Sequence, residues 1–348
     1  MAESDEIGTI TGTLDFDPLR LRRFLSSALA GMQGPMSVER IGGGQSNPTY
    51  FVSLPGQRLV LRKRPAGPTL PSAHAVDREY RVLNALATTD VPVPRPLLFH
   101  ADPDVVGTPF YLMERLDGRV FDQCALPGLT PPERRGIYLG MADALARLHA
   151  VDPEAVGLGD YGRPGSYFSR QLARWLRQWR ESPTDDIPAL DELVAWLERH
   201  LPPDDGRVAI AHGDFRLGNL LFHPSEPRVI GILDWELSTL GHPLADLGFC
   251  CMTWHTAPDE YGGILGLDHA ALGIPSADEF VQHYQQQARP AGELRPFHVV
   301  FALFRFAVIF VGIADRARRG NAAGSNAGEI GRLAGNFAER ALDLARAS

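Results

Sequence analysis

The stretch VAIAHGDFRLGNLLFHP, residues 208–224, constrains the fold more than any other part of the chain. Val208, Ala209 and Ile210 approach it as a short strand, His212-Gly213-Asp214 breaks the apolar run, and Leu220, Leu221 and Phe222 resume it after Asn219. Polar residues between two apolar strands form a loop whose side chains stand in a fixed frame. Turn residues in HPSEP then lead into RVIGIL, a third strand that delivers Asp234 at its end. The pattern predicts that Asp214, Asn219 and Asp234 converge at the mouth of a hairpin.

The rest of the chain changes texture once. After a polar tail, PLRLRRFLSSALAGM has apolar residues at helical spacing. Residues 37–64 read as strand, glycine-rich turn, strand, turn, strand: SVERI, GGGQSNPT, YFVSL, PGQ, RLVLRK. A helix follows over VDREYRVLNAL, residues 76–86, with Val76, Tyr80, Leu83 and Leu86 on one stripe, and TPFYLMERLDG reads as one more strand. From about residue 119 the pattern is helical apart from the 208–234 stretch. We expect an α+β fold of two lobes: a flexible tail over 1–16, a small antiparallel β lobe over 17–116, and a larger helical lobe over 117–348.

Two carboxylates and a carboxamide are hard oxygen donors suited to Mg²⁺, which takes few protein groups and completes its shell with phosphate oxygens. An Asp five residues before a metal-binding Asn is also the spacing of kinase catalytic loops. HGDFRLGN followed by ILDWE resembles the aminoglycoside phosphotransferase-like family, small-molecule kinases with the protein-kinase fold. The resemblance implies Asp214 as catalytic base, Asn219 and Asp234 as Mg²⁺ ligands, and Arg216 as a cation steadying the transferred phosphate.

A kinase reading requires a nucleotide lobe upstream, and candidates for its parts occur in the right order. Gly43, Gly44, Ser46 and Asn47 form a loop that can approach phosphate. Aligning LVLR with the kinase phosphate-binding strand puts Arg62, rather than a lysine, at the phosphate position, and a shift of register would use Lys63 instead. Glu79 is the helical partner for that cation, although an acid in a first helical turn also suits the helix dipole. The backbone of Glu114 and Leu116 would meet the adenine, with Met113 packed nearby. Asp246, in the HPLADLG segment, is expected to brace the catalytic loop; His242 and His255 read as structural, and Glu236 as solvated.

The cofactors implied are ATP, with GTP as an alternative, and Mg²⁺; the partner is a small molecule bearing a hydroxyl. A formal charge of −8 gives no general attraction to nucleic acid or anionic membranes. The start, MAESDEIGTITGTLDFD, lacks the apolar block of a signal peptide, and three cysteines without metal-like spacing suit a cytoplasmic protein. The run VVFALFRFAVIFVGIA, 299–314, is shorter than the ~20 residues of a membrane span and contains Arg305, so we read it as a buried helix without membrane insertion. The combination of GGGQSNPTYFV, PSAHAVDREYRVL and DWELSTLGHPLADL is similar to the kinase-like domains fused to acyl-CoA dehydrogenases, which implies a hydroxyacyl-CoA or related hydroxy acid as acceptor. Two other readings stay open. Asp259, Glu260 and Asp268 could greet a cationic aminoglycoside, and a nucleotide-binding pseudokinase would keep the fold without turnover.

Overall fold

The computed structural model describes residues 7–42, 47–67, 74–163, 165–183, 187–289, 291–318 and 327–348. They divide into two compact units: the chain up to Gly118 together with Ile230–Glu236, and Arg119–Val229 together with Leu237–Ser348.

In the first unit the elements are β1 (Ile7–Thr11), α1 (Pro18–Ala28), β2 (Met36–Arg40), β3 (Thr49–Leu54), β4 (Gln57–Lys63), α2 (Val76–Leu86), β5 (Pro96–His100) and β6 (Phe110–Glu114). The strands form one six-stranded sheet in the order β1-β2-β3-β4-β6-β5. Every neighbouring pair is antiparallel except β1 with β2, so the sheet is mixed. Here the structure departs from two expectations. The 1–16 tail contains the parallel edge strand β1, and the Pro-rich segment after α2 yields β5, which is missing from the sequence reading. Pro96 opens an edge strand, where a missing N–H costs no ladder bond.

One face of this sheet packs on α1, whose Asp17 cap accepts from the Leu19 N–H while Pro18 occupies the first turn. Leu21 and Leu25 of that helix join Leu59 and Leu61 of β4 in the core. Side chains alternate along a strand, so Lys63 shares the face of Leu59 and Leu61, and Arg62 points to the other. That one-residue difference decides what each cation can touch.

The second unit holds α3 (Pro131–Ala150), α4 (Tyr167–Arg180), α5 (Pro188–Arg199), β7 (Ala209–Ala211) and β8 (Leu220–Phe222). After β9 (Val229–Ile232), which crosses between the units, come β10 (Thr239–Gly241), α6 (Pro243–Cys251), α7 (His269–Leu272), α8 (Ala277–Gln287), α9 (Pro296–Arg318) and α10 (Ala327–Arg346). β7 pairs antiparallel with β10, Ala211 opposite Thr239 and Ala209 opposite Gly241. Small residues permit that approach: a Cβ on Gly241 would sit 2.8 Å from the Tyr167 ring and 3.0 Å from Ala211 Cβ. Because β10 runs directly into α6, the pairing fixes where α6 begins relative to the end of β7.

The apolar run at 299–314 lies within α9, which is longer than the run. Its Pro296–Arg316 portion is long and apolar enough to cross a membrane, but most of it is buried inside the protein. The expectation that this segment is too short to span a membrane therefore does not hold for the whole helix.

Candidate active site

The His212–Asn219 loop leaves β7 and is held from three helices. Asp246 of α6 accepts from the His212 N–H at 2.7 Å and from the Gly213 N–H at 2.9 Å, one bond to each carboxylate oxygen. His149 at the end of α3 lies with Nε2 3.3 Å from Asp246 Oδ2 and Nδ1 2.7 Å from the Tyr284 hydroxyl. A carboxylate only accepts, so Nε2 carries the hydrogen and Nδ1 takes the Tyr284 proton. From α9, Arg305 donates to the Gly213 carbonyl at 2.6 Å. Gly213 itself has φ +83°, and a Cβ there would meet the Leu237 carbonyl at 2.7 Å, so only glycine fits.

Burial alone would raise the Asp246 pKa. The His149 hydrogen bond, the electrostatic attraction of the neighbouring His149 and His212 rings, and the Gly213 N–H outweigh it and hold the carboxyl below its ordinary value. Asp246 thus acts as the brace that the HPLADLG segment led us to expect.

On this frame the loop gathers three polar side chains. The Asn219 amide donates to the Asp214 carboxylate at 2.8 Å and to the Asp214 carbonyl at 2.9 Å, so its nitrogen is committed to Asp214. Arg216 Nε lies 3.4 Å from Asp214 Oδ2, with the guanidinium 5.8 Å from the Tyr261 ring. Asp214 is therefore oriented from two sides while its carboxylate stays partly accessible.

The first unit assembles a second group. Arg62 Nε lies 2.7 Å from Glu79 Oε2, off the N–H axis, so that contact is coulombic, and Nη2 donates to Asp234 at 2.7 Å. Glu236 stands 3.9 Å from the same nitrogen. Glu79 is 1% exposed and takes further bonds from the Asn47 amide at 2.5 Å and the Tyr111 hydroxyl at 3.0 Å. Burial raises the Glu79 pKa; Arg62, Tyr111 and Asn47 pull it back. For Arg62 burial works against the charge, and the field of Glu79, Tyr111, Asp234 and Glu236 more than restores it, raising the pKa. Asp234 has φ +64°, a conformation that Asp tolerates better than most residues.

Other expected site residues fall elsewhere. Lys63 is buried on the opposite face of β4, its ammonium on Asp15 at 2.9 Å and the Val106 carbonyl at 2.7 Å. Asn47 is spent on Glu79 and on His74 Nδ1 at 3.1 Å. Gly43, Gly44 and Ser46 lie outside the described residues. The Glu114 N–H is used on the Arg95 carbonyl, and Met113 is buried in β6. His242 caps α6 and lies 3.2 Å from Asp205. Of the acids that could have met a cationic acceptor, Glu260 is paired with Arg340 and Asp268 caps α7.

Sequence reasoning missed His149, Tyr284, Tyr111 and Arg305. Only Arg305 carried a signal, a lone cation inside an apolar helix. No group of three or more His, Cys, Asp or Glu side chains sits together as a metal cage among the described residues.

The sequence model described as the phosphotransferase enzyme family matches residues 37–295, about three quarters of the chain. The chain belongs to the phosphotransferase enzyme family. It is an enzyme with the kinase-like fold of the aminoglycoside phosphotransferases. Among solved structures, a candidate aminoglycoside phosphotransferase from Ralstonia eutropha is 45% identical with a TM-score of 0.86, covering 95% of this chain and 99% of its own. The aminoglycoside phosphotransferase APH(4)-Ia, in ternary complex with AMP-PNP and hygromycin B, shares the fold at 14% identity with a TM-score of 0.57, over 93% of this chain and 98% of its own. Acyl-CoA dehydrogenase family member 11 of Gallus gallus is 41% identical over 95% of this chain and 44% of its own length. Family member 10 of Mus musculus is 42% identical over 90% of this chain and 29% of its own. The phosphotransferase chain thus spans less than half the length of these curated relatives.

The brace has a pH signature. A carboxyl whose folded pKa is depressed adds stability that is complete above its unfolded value, about 4, and lost as pH falls through the lower folded value. Asp246→Asn should cost about 3 kcal/mol at neutral pH. Its deficit against wild type should shrink as pH falls below about 4, measured by urea unfolding across pH. A deficit independent of pH would contradict this role.

Proposed function

We propose that this chain transfers the γ-phosphate of ATP to a hydroxyl of a small molecule in a Mg²⁺-dependent reaction. The observation that carries the reading is the Asp214–Asn219 pair on a loop fixed by Asp246. Asp214 accepts the acceptor's hydroxyl proton as its oxygen bonds to the γ-phosphorus; the bond from that phosphorus to the β,γ-bridging oxygen breaks, and ADP leaves. Arg216 steadies charge on the moving phosphoryl group. Asn219, whose amide nitrogen is turned to Asp214, and Asp234 would supply two hard oxygen donors for Mg²⁺, an ion that takes few protein groups and completes its shell with phosphate and water. When bound, Mg²⁺ would neutralise phosphate charge.

Arg62 takes the phosphate-pairing role that the register of β4 permits, with Glu79 holding it in place. Asp234 is a second partner of Arg62, through Nη2. Since the Glu114 N–H is used internally, adenine would meet the Glu114 carbonyl and the Leu116 N–H.

For the acceptor we propose a hydroxyacyl-CoA or related lipid-derived hydroxy acid. Relatives named for acyl-CoA dehydrogenases match nearly the whole chain at about 40% identity, and the acids near the 259–268 segment that might attract a polycation are largely committed to structure.

Asp214→Asn should lower turnover by about 10²–10⁴ and leave the calorimetric affinity for Mg²⁺-AMP-PNP unchanged. Asp234→Ala should weaken that affinity and shift the Mg²⁺ dependence upward. Lost nucleotide binding in the first variant, or unchanged metal dependence in the second, would overturn the assignment.

The neighbouring cations give a separate test. Arg62→Met should weaken Mg²⁺-AMP-PNP binding tenfold or more, whereas Lys63→Met should leave it within about twofold and lower the unfolding midpoint, since it leaves Asp15 without its ammonium. The reverse pattern would assign the phosphate role to Lys63.

A further inference from the structure

A narrow recess adjoins the catalytic loop within the second unit. One wall is the loop itself, Phe215 through Gly218, immediately after Asp214. The polar lining is concentrated at the rim, where Asp122 is exposed and Arg216 half-buried. Deeper lining residues are apolar and buried: Tyr138, Met141, Phe249, Trp254 and Phe337.

The polar ends of the deep residues are spent on the protein. The Trp254 N–H donates to the Pro275 carbonyl at 3.0 Å, the Tyr138 hydroxyl to the Cys124 carbonyl at 2.7 Å, and the Thr256 hydroxyl to the Met252 carbonyl at 3.4 Å. A ligand carrying ammonium or several hydroxyl groups would lose water there and find few partners, a cost of roughly 1–3 kcal/mol per unsatisfied group. An alkyl segment loses nothing and gains about 0.8 kcal/mol for each methylene buried. Trp254 is also a stiff wall: its indole is pinned at the nitrogen and packs edge-on against Tyr138, with centroids 5.4 Å apart, and against Phe280 on another side.

We propose that this recess receives the alkyl segment lying beyond the acceptor's reactive hydroxyl, and that Trp254 sets how long that segment can be. The inference rests on Asp214 as the base. With the hydroxyl held at Asp214 beside the rim, the part of the acceptor entering the recess is the tail on the far side of the hydroxyl, while a charged head group stays outside. The enzyme therefore measures the distance from hydroxyl to chain end rather than from hydroxyl to head group. Phosphoryl transfer is otherwise as described above, and no further reactant is required.

The test uses hydroxyacyl-CoA thioesters with a fixed hydroxyl position and tails of increasing length, with kcat/KM read from phosphomonoester formation. Wild-type kcat/KM should rise about fourfold per methylene until the recess fills and then fall. Trp254→Leu should move the optimum to longer tails and Met141→Phe to shorter ones. A flat profile, or an optimum unmoved in both variants while turnover persists, would overturn the tail site and leave the kinase reading standing. A second readout needs no catalysis. Cys124 lines the recess and is the only cysteine not fully buried, so 2-alkanols of increasing length should progressively slow its alkylation by N-ethylmaleimide without ATP. Length-dependent protection without phosphorylation of any thioester would retain the recess as an alkyl site and sink the kinase reading on which its substrate role rests. Absence of protection would count against the recess itself.

Discussion

Two hydrogen bonds to one carboxylate, from the His212 and Gly213 amides to Asp246, hold the rest of the catalytic loop in place. Everything the loop can do depends on a backbone conformation that requires glycine and packs against the Leu237 carbonyl. The strand pair β7–β10 brings the brace to the loop, because β10 passes straight into the helix that carries Asp246. His149 and Arg305 tie the same loop to two further helices. Charged groups buried this deeply are costly unless every lone pair and proton is matched. The outcome is a short, firmly held loop that presents Asp214, Arg216 and Asn219 together; in the reaction proposed above they would need little reorganisation.

The first unit solves a different problem, keeping one cation aimed while sparing it from collapse onto a single acid. Arg62 meets the charge of Glu79 at Nε, without a hydrogen bond there, while Nη2 donates to Asp234, so one planar cation faces two acids at once. Glu79 is fixed in turn by Asn47 and Tyr111, one on each carboxylate oxygen. The departure from the usual lysine is thus accompanied by a matching environment. Lys63, one residue on, completes a separate buried contact beneath the sheet with Asp15.

Much of this was legible in the sequence because it depended on local period. The alternation of β4 separates Arg62 from Lys63, and the HGDFRLGN spacing places an amide beside a carboxylate. Glu79 was legible as the partner of the β4 cation, and it shares a helical stripe with Val76, Leu83 and Leu86, where a charge implies a buried partner. What stayed hidden was set by long-range packing. Nothing near Tyr111 or His149 indicates contacts 32 and 97 residues away. β1 was hidden for the same reason: an exposed Ile-Gly-Thr-Ile-Thr segment becomes a strand only because β2 offers an edge. Asn47 reads as a phosphate donor from its glycine-rich surroundings, and its burial against Glu79 depends on a helix thirty residues later.

The fate of the γ-phosphate decides whether the proposed reaction occurs. The most direct measurement is ³¹P NMR of the wild-type protein with Mg²⁺, ATP and a hydroxyacyl-CoA. For the proposed transfer, a phosphomonoester resonance should grow as the γ-phosphate signal declines and ADP accumulates. ATP left intact, or converted to inorganic phosphate at a rate the acceptor does not change, would contradict it.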